Sequence, residues 1–316
     1  MTRLLVNGKL PQAGLEGRLA AAYDLHRLTD EADTAAFLAA RGHEFDALVT
    51  SAPLGADAAL IEALPNLKVI AGFGVGFDKV DQAAALRRGI RVSNTPDVLN
   101  DCVADLAFAL LLDVMRGVSA ADRFVRRGDW LKGRFPITTR VSGKRLGVLG
   151  LGRIGRAVAQ RARGFGMAVG YCNRQPLPDV DFTYHATPAA LAGWCDILVV
   201  TAAGGGATRH LVDEGVLQAL GPQGFLVNVA RGSVVDEQAL VRALVDKRIA
   251  GAGLDVFEDE PRVPDALLAL DNVVLTPHVA SGTEETRAAM ADLVVENLHC
   301  YFITGRLLTP VPWSPA

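Results

Sequence analysis

Short apolar runs rich in valine, isoleucine and leucine alternate with alanine- and leucine-rich stretches almost from one end of the chain to the other. Brief β-rich runs read as strands, and the longer stretches between them as helices that cover the sheet on both faces. The expected strands are Leu4–Val6, Ala47–Thr50, Val69–Ala71, Arg91–Ser93, Arg145–Leu149, Ala168–Tyr171, Ile197–Thr201, Phe225–Asn228, Gly253–Val256 and Val273–Leu275. A long helix is predicted from Asp101 to about Arg116, with AFALLL on its apolar side, and another from Glu284 to Phe302. The alternation predicts an α/β protein built of two doubly wound, Rossmann-like parallel-sheet domains.

The break between them falls near Asn94-Thr95-Pro96, where proline restricts the residue before it and closes a strand. Gly143-Lys144 opens a fresh strand, and strand and helix then alternate to about Leu275. The helix from Glu284 and the extended tail LLTPVPWSP should return the C-terminal segment to the first domain. No internal repeat supports a solenoid.

Composition narrows the partners. The chain has 316 residues, half of them apolar, and 32 basic against 35 acidic side chains give a net charge of −3. That balance, with no run of like charges, offers no footprint for nucleic acid or an anionic membrane. The apolar run Leu106–Leu112 is stopped by Asp113, well short of the ~20 residues that span a bilayer. MTRLLVNGKLPQAG lacks a signal core, so a cytoplasmic protein is expected. Cys102, Cys172, Cys195 and Cys300 lie far apart without CxxC spacing, read as buried thiols, and no metal site is expected.

The strand Arg145–Leu149 runs directly into Gly150-Leu151-Gly152-Arg153-Ile154-Gly155, and a helix-compatible stretch follows. In a dinucleotide site Gly150 permits the tight turn, Gly152 lets backbone approach a pyrophosphate, Gly155 allows close helix packing, and the helix N-terminus offers amides to phosphate. The bland alternative is an ordinary glycine-rich turn. At the end of the next strand, where a site for NAD(H) would place an acid, stand Asn173-Arg174. Asparagine removes the repulsion of a 2′-phosphate, and the guanidinium can pair with it, which favours NADP(H) over a still possible NAD(H). The other reading is an exposed arginine with Asp179 or Asp181 folding back to the ribose.

Three further segments end candidate strands with polar groups at the carboxyl edge, where open α/β sheets bind ligands. They are Asn228–Gly232, Asp255–Pro261 and Thr276–Ser281, and they supply Arg231, Glu260 and His278. Reduction of a carbonyl by hydride needs a proton donor and a cation for a neighbouring carboxylate, which this inventory provides. Singly, Arg231 could serve a helix cap, Glu260 could be a solvated loop acid, and His278 could be satisfied by backbone.

With GLGRIG at 150–155, NVARG at 228–232, GLDVFEDEP at 253–261 and TPHVAS at 276–281, the chain resembles the D-isomer-specific 2-hydroxyacid dehydrogenase family. GFGVGFDKVD at 72–81 and Asn173-Arg174 make it most similar to the NADPH-dependent glyoxylate/hydroxypyruvate reductases, and hydroxyphenylpyruvate reductases share much of the pattern. The resemblance implies two domains with a cleft between them: residues 1–98 plus 286–316 for substrate and 99–285 for coenzyme. It implies catalytic roles for Arg231, Glu260 and His278, with Arg231 on the substrate carboxylate, His278 as acid and Glu260 orienting the imidazole. The amides of Val75 and Gly76 would hold the carboxylate, and the loop Ser51–Leu54, with Leu54, would read the substrate's third carbon. Asp255 would contact the nicotinamide region, with Val103, Thr201, Ala202, Thr208 and Val229 lining the cofactor channel.

A small 2-keto acid is the implied substrate, and a homodimer the implied assembly. Trp130 is then either a core aromatic or part of a subunit-contact arm. The sequence departs from the family where a His-x-Pro step is replaced by Thr201-Ala202-Ala203 and three glycines, and where Asp105 stands for a usual glutamate. The family's non-catalytic corepressor branch offers the rival reading of a nucleotide-sensing scaffold.

Overall fold

The computed structural model describes residues 2–10 and 12–315; Met1 and Ala316, the outer limits of the expected discontinuous domain, lie outside the described residues, as does Pro11. The chain divides into two units, Met1–Leu99 with Ser281–Ala316, and Asn100–Ala280.

The first unit carries β1 (Arg3–Val6), β2 (Asp24–Arg27), β3 (Ala47–Ser51), β4 (Val69–Phe73) and β5 (Arg91–Ser93) in the order β2-β1-β3-β4-β5, every pair parallel. β3 is buried along its whole length, as expected of a central strand covered on both faces. Leu5, Leu48 and Ile70 from successive strands meet Phe45, Ile61 and Leu64 in one apolar cluster. The helix Glu284–Thr304 belongs to this unit, and the segment after it bridges antiparallel from Pro310 to Ser93.

The second unit carries β6 (Arg145–Leu149), β7 (Ala168–Cys172), β8 (Thr183–Tyr184), β9 (Ile197–Val200), β10 (Phe225–Asn228), β11 (Gly251–Leu254) and β12 (Val273–Leu275). Their order, β12-β11-β10-β9-β6-β7-β8, is again parallel throughout. β6 and β9 are neighbours although β7 and β8 intervene in sequence, so the winding reverses there, the place where such sheets take ligands. Aspartates and threonines start the helices: Asp57, Asp81, Asp213, Asp236 and Thr187 each accept an N–H three residues on, worth ~1 kcal/mol apiece.

Two strands were not expected from the sequence. β2 (DLHR) is polar and partly exposed because it is an edge, and β8 is a two-residue edge. β11 lies two residues earlier than predicted, since Asp255 leaves the ladder to bind the chain beyond β12. Of the four free thiols, Cys172 and Cys195 are buried, while Cys102 and Cys300 are only half-buried on helices, a correction to the expectation. Burial pushes the Cys195 thiol up to about 12.

The helix Val118–Arg126 buries none of its residues within the chain, and beyond it Trp130 is 69% and Leu131 95% exposed. Trp130 is therefore not a core aromatic of this chain. Among the described residues no helix is long and apolar enough to cross a membrane.

Candidate active site

The glycine turn follows β6. Gly150 sits at φ +100°, and a Cβ there would come within 2.6 Å of Ala202 backbone. A Cβ on Gly155 would lie 2.4 Å from the Gly150 carbonyl oxygen, so only glycine lets the helix Arg153–Gly164 approach this closely. Gly152 faces open space and supplies no side-chain cap, which leaves the first-turn amides available to an anion. The cradle fits a pyrophosphate.

Two side chains hold the turn. Thr201 Oγ1 donates to the Gly150 carbonyl at 2.8 Å, and Asn173 Oδ1 accepts the Leu151 N–H at 2.7 Å. Arg174 and Arg153 are exposed, Ile154 and Ala202 are half-buried, and Val103 and Val229 are buried. Asp179 pairs with Arg156 at 2.9 Å, and that hydrogen bond holds its carboxyl below the ordinary range. Asp181 is exposed. Thr208 Oγ1 donates to the Ala203 carbonyl at 2.6 Å across the glycine stretch, where Gly205 has φ +127°.

On the same sheet, the ends of β10, β11 and β12 carry the other group. The buried Asn228 fixes the backbone beyond β10: its Oδ1 accepts the Ala230 N–H and its Nδ2 donates to the Arg231 carbonyl, both at 3.0 Å. Gly232 then packs so tightly that a Cβ would fall 1.9 Å from the Phe257 carbonyl carbon.

Asp255 is fully buried, and its carboxylate accepts from Thr276 Oγ1 at 2.7 Å, Val279 N–H at 2.9 Å and Ala280 N–H at 3.0 Å. Burial lifts its carboxyl above the ordinary range against the pull of those bonds and of His278. Wrapped around it, His278 takes φ +52°, rare for a side-chain-bearing residue, while its N–H donates to the Asp255 carbonyl at 2.8 Å.

His278 Nδ1 lies 2.7 Å from Glu260 Oε2, and Glu260 Oε1 accepts the Phe257 N–H at 3.1 Å. Burial would raise Glu260, but the His278 bond and charge, the Phe257 amide and the Arg231 charge together bring its carboxyl below the ordinary range. Arg231, Glu260 and His278 thus converge at one carboxyl edge, with an ionised carboxylate fixing the imidazole.

The residues expected to touch substrate from the first unit follow their own strands. Leu54 comes after β3, half-exposed over Gly8, and Val75 and Gly76 follow β4. Among the described residues, no acceptor meets the N–H of Val75 or of Gly76.

Sequence reasoning missed the supports. The Glu258 N–H donates to Glu237 Oε2 at 3.1 Å, and the Glu258 carboxylate meets Arg209 at 2.7 Å and His210 at 3.1 Å. Burial raises the Glu237 carboxyl. In sequence Glu237 reads as an ordinary first-turn acid, so only the contact identifies it.

Known proteins match this chain over most of its length. The family described as D-isomer specific 2-hydroxyacid dehydrogenase, NAD binding domain, matches residues 108–280. A hydroxyphenylpyruvate reductase of Plectranthus scutellarioides is 50% identical over 297 residues, covering 94% of this chain and 95% of the relative. A glyoxylate/hydroxypyruvate reductase A of Arabidopsis thaliana is 49% identical with the same coverage. The crystal structure of an NADPH-dependent glyoxylate/hydroxypyruvate reductase from Sinorhizobium meliloti, in complex with NADP and malonate, is similar at a TM-score of 0.94 and 46% identity, over 99% of this chain and 98% of that one.

Proposed function

The chain belongs to the D-isomer specific 2-hydroxyacid dehydrogenase family, and on that premise we propose that it reduces a short 2-keto acid, glyoxylate or hydroxypyruvate, to the D-2-hydroxy acid with NADPH. The observation that carries the reading is the 2.7 Å contact from His278 Nδ1 to Glu260 Oε2, with Arg231 beside it, on the sheet that also bears the Gly150–Gly155 turn.

When bound, NADPH would supply the hydride for the keto carbon. Its pyrophosphate is assigned to the Ile154 and Gly155 amides at the helix start, its 2′-phosphate to Asn173 and Arg174, and its channel to Val103, Thr201, Ala202, Thr208 and Val229. Asn173 suits NADPH because it brings no negative charge, and the Asp179–Arg156 ion pair supports the same reading by giving that acid another partner.

Arg231 takes the substrate carboxylate and polarises the keto oxygen, helped by the amides of Val75 and Gly76, a pair suited to an anion. With Nδ1 held by Glu260, His278 gives its proton from Nε2 to the forming alkoxide. Glu260 stays ionised and stabilises the imidazolium. Asp255 fixes the segment that carries His278, and Leu54 borders the third carbon. Residues 1–98 plus 286–316 serve the substrate and 99–285 the coenzyme.

The exposed apolar side chains of Trp130, Leu131 and Ile137 are assigned to a homodimer contact, and the activity to the cytoplasm. The test is a panel of glyoxylate, hydroxypyruvate, 2-ketogluconate and hydroxyphenylpyruvate, each assayed with NADPH and with NADH. Highest catalytic efficiency on glyoxylate or hydroxypyruvate with NADPH is expected. Preference for the aryl substrate would move the assignment to the hydroxyphenylpyruvate reductases, and no turnover of any would favour a nucleotide-sensing scaffold.

A further inference from the structure

The two unpartnered amides after β4 sit on peptide planes whose other ends are tied down. A trans peptide points its C=O and N–H in opposite directions, so anchoring one fixes the aim of the other. The plane that carries the Val75 N–H has the Gly74 carbonyl, which accepts the Thr95 N–H at 2.9 Å. The plane that carries the Gly76 N–H has the Val75 carbonyl, which accepts from Asn94 Nδ2 at 2.7 Å. The Gly74 N–H in turn donates to Thr95 Oγ1 at 3.1 Å.

Asn94 is itself held by the far end of the chain. Thr309 Oγ1 donates to the Asn94 carbonyl at 2.6 Å, and the Asn94 N–H donates to the Thr309 carbonyl at 3.2 Å. Thr309 is clamped by Asn297, on the helix Glu284–Thr304, whose amide is fully used. Its Nδ2 donates to Thr309 Oγ1 at 2.8 Å and to the Leu293 carbonyl at 2.7 Å, and its Oδ1 accepts the N–H of Leu308 and of Thr309 at 3.0 Å. Asn94, Thr95 and Asn297 are all buried, and all belong to the first unit. The buried amide of Asn297, with both donors and its oxygen engaged, holds this segment in one geometry, because each alternative strands a donor or acceptor.

We propose that Asn94 is a positioning residue for substrate: it aims the Gly76 amide, and Thr309 and Asn297 hold it in register, so the chain's C-terminal segment sets the geometry of the carboxylate loop. The proposal rests on the reading that Val75 and Gly76 take the substrate carboxylate. It assigns Asn94 no contact with the substrate.

The test uses the full chain with four substitutions: Asn94→Ala, Asn94→Asp, Thr309→Val and Thr309→Ser. Loss of one buried bond predicts a rise of about tenfold in the KM for glyoxylate in Asn94→Ala and Thr309→Val, with kcat changed by less than about threefold. Asn94→Asp keeps the shape but turns an acceptor toward the Val75 carbonyl, so it should be worse than Asn94→Ala, whereas a space-filling role predicts the reverse order. Thr309→Ser keeps the hydroxyl and should stay near the parent. NADPH affinity, followed by its fluorescence, should not change in any variant.

In the ligand-free enzyme, the amide resonance of Gly76 should shift and broaden in Asn94→Ala. An unmoved resonance overturns the aiming role whatever the KM does. A moved resonance with an unchanged glyoxylate KM overturns the carboxylate reading on which the proposal rests while leaving the Asn94 anchor standing. Parallel loss of NADPH affinity and thermal midpoint in the alanine and valine variants overturns it in favour of general loosening.

Discussion

Gly232→Ala is the most informative single perturbation, because the added methyl would meet backbone rather than a yielding side chain. Its Cβ would lie 1.9 Å from the Phe257 carbonyl carbon, 2.0 Å from its oxygen and 2.3 Å from the Glu258 nitrogen. Ordinary contact begins at 3.4 Å, so the two segments must part by about 1.5 Å. The displaced residues are those that aim Glu260 and, through it, His278: the Phe257 N–H holds Glu260, and the Glu258 N–H is held by Glu237. Catalytic geometry tolerates roughly 0.5 Å, and a 1 Å misplacement costs on the order of 100-fold in rate. We therefore expect kcat to fall about 10²- to 10³-fold. Overpacking of about 1–3 kcal/mol should also lower the thermal midpoint by several degrees. NADPH affinity should hold within about threefold, since the Gly150–Gly155 turn is supported separately by Thr201 and Asn173. Steady-state NADPH oxidation with glyoxylate, alongside a fluorescence titration of NADPH, measures both. A folded variant with near-parental kcat would refute the claim that this contact sets the Glu260 position.

Arg231→Ala should lower kcat/KM by about 10²- to 10³-fold, the scale of losing an oxyanion donor, and normal turnover would remove Arg231 from the chemistry. The Glu260 carboxyl is held below its ordinary range, so the stability it contributes is present above that range and is lost as pH falls through its lowered folded value. Glu260→Gln should therefore flatten the acid limb of a plot of thermal midpoint against pH, and an unchanged limb would contradict the His278 pairing. Asn173→Asp can still accept the Leu151 N–H but would repel a 2′-phosphate, so the ratio of kcat/KM for NADPH over NADH should drop about tenfold or more. An unaltered ratio would detach residue 173 from the phosphate. Leu131→Arg, at a 95% exposed position, should shift sedimentation toward monomer with the fold intact, and an unshifted distribution would place the subunit contact elsewhere.

What the sequence made legible is what is local. The glycine turn, the three polar segments that end strands and most central strands announce themselves because a buried strand and its polar carboxyl end lie within a few residues of each other. β2 escaped because an edge strand needs one partner and no second buried face, so DLHR carries no apolar period. Asp255 was legible as a site residue, but not as the buried carboxylate that wraps Thr276, Val279 and Ala280 around itself, since those partners lie over twenty residues away. Asn94 and Thr309 are further apart still, 215 positions, and neither sits in a pattern that signals the other. Long-range polar pairs leave no periodic trace, so they become visible only in coordinates.

The antiparallel bridge from Pro310 to Ser93 also orders events during synthesis. Val92 waits for Ser314, made 222 positions later, before its amide finds its hydroxyl partner. Residues 100–280 contain all seven strands of their own sheet and can close it as they leave the ribosome. The unit begun first is thus the one finished last, and the turn after β4 acquires its Asn94 anchor only when translation has passed Thr309.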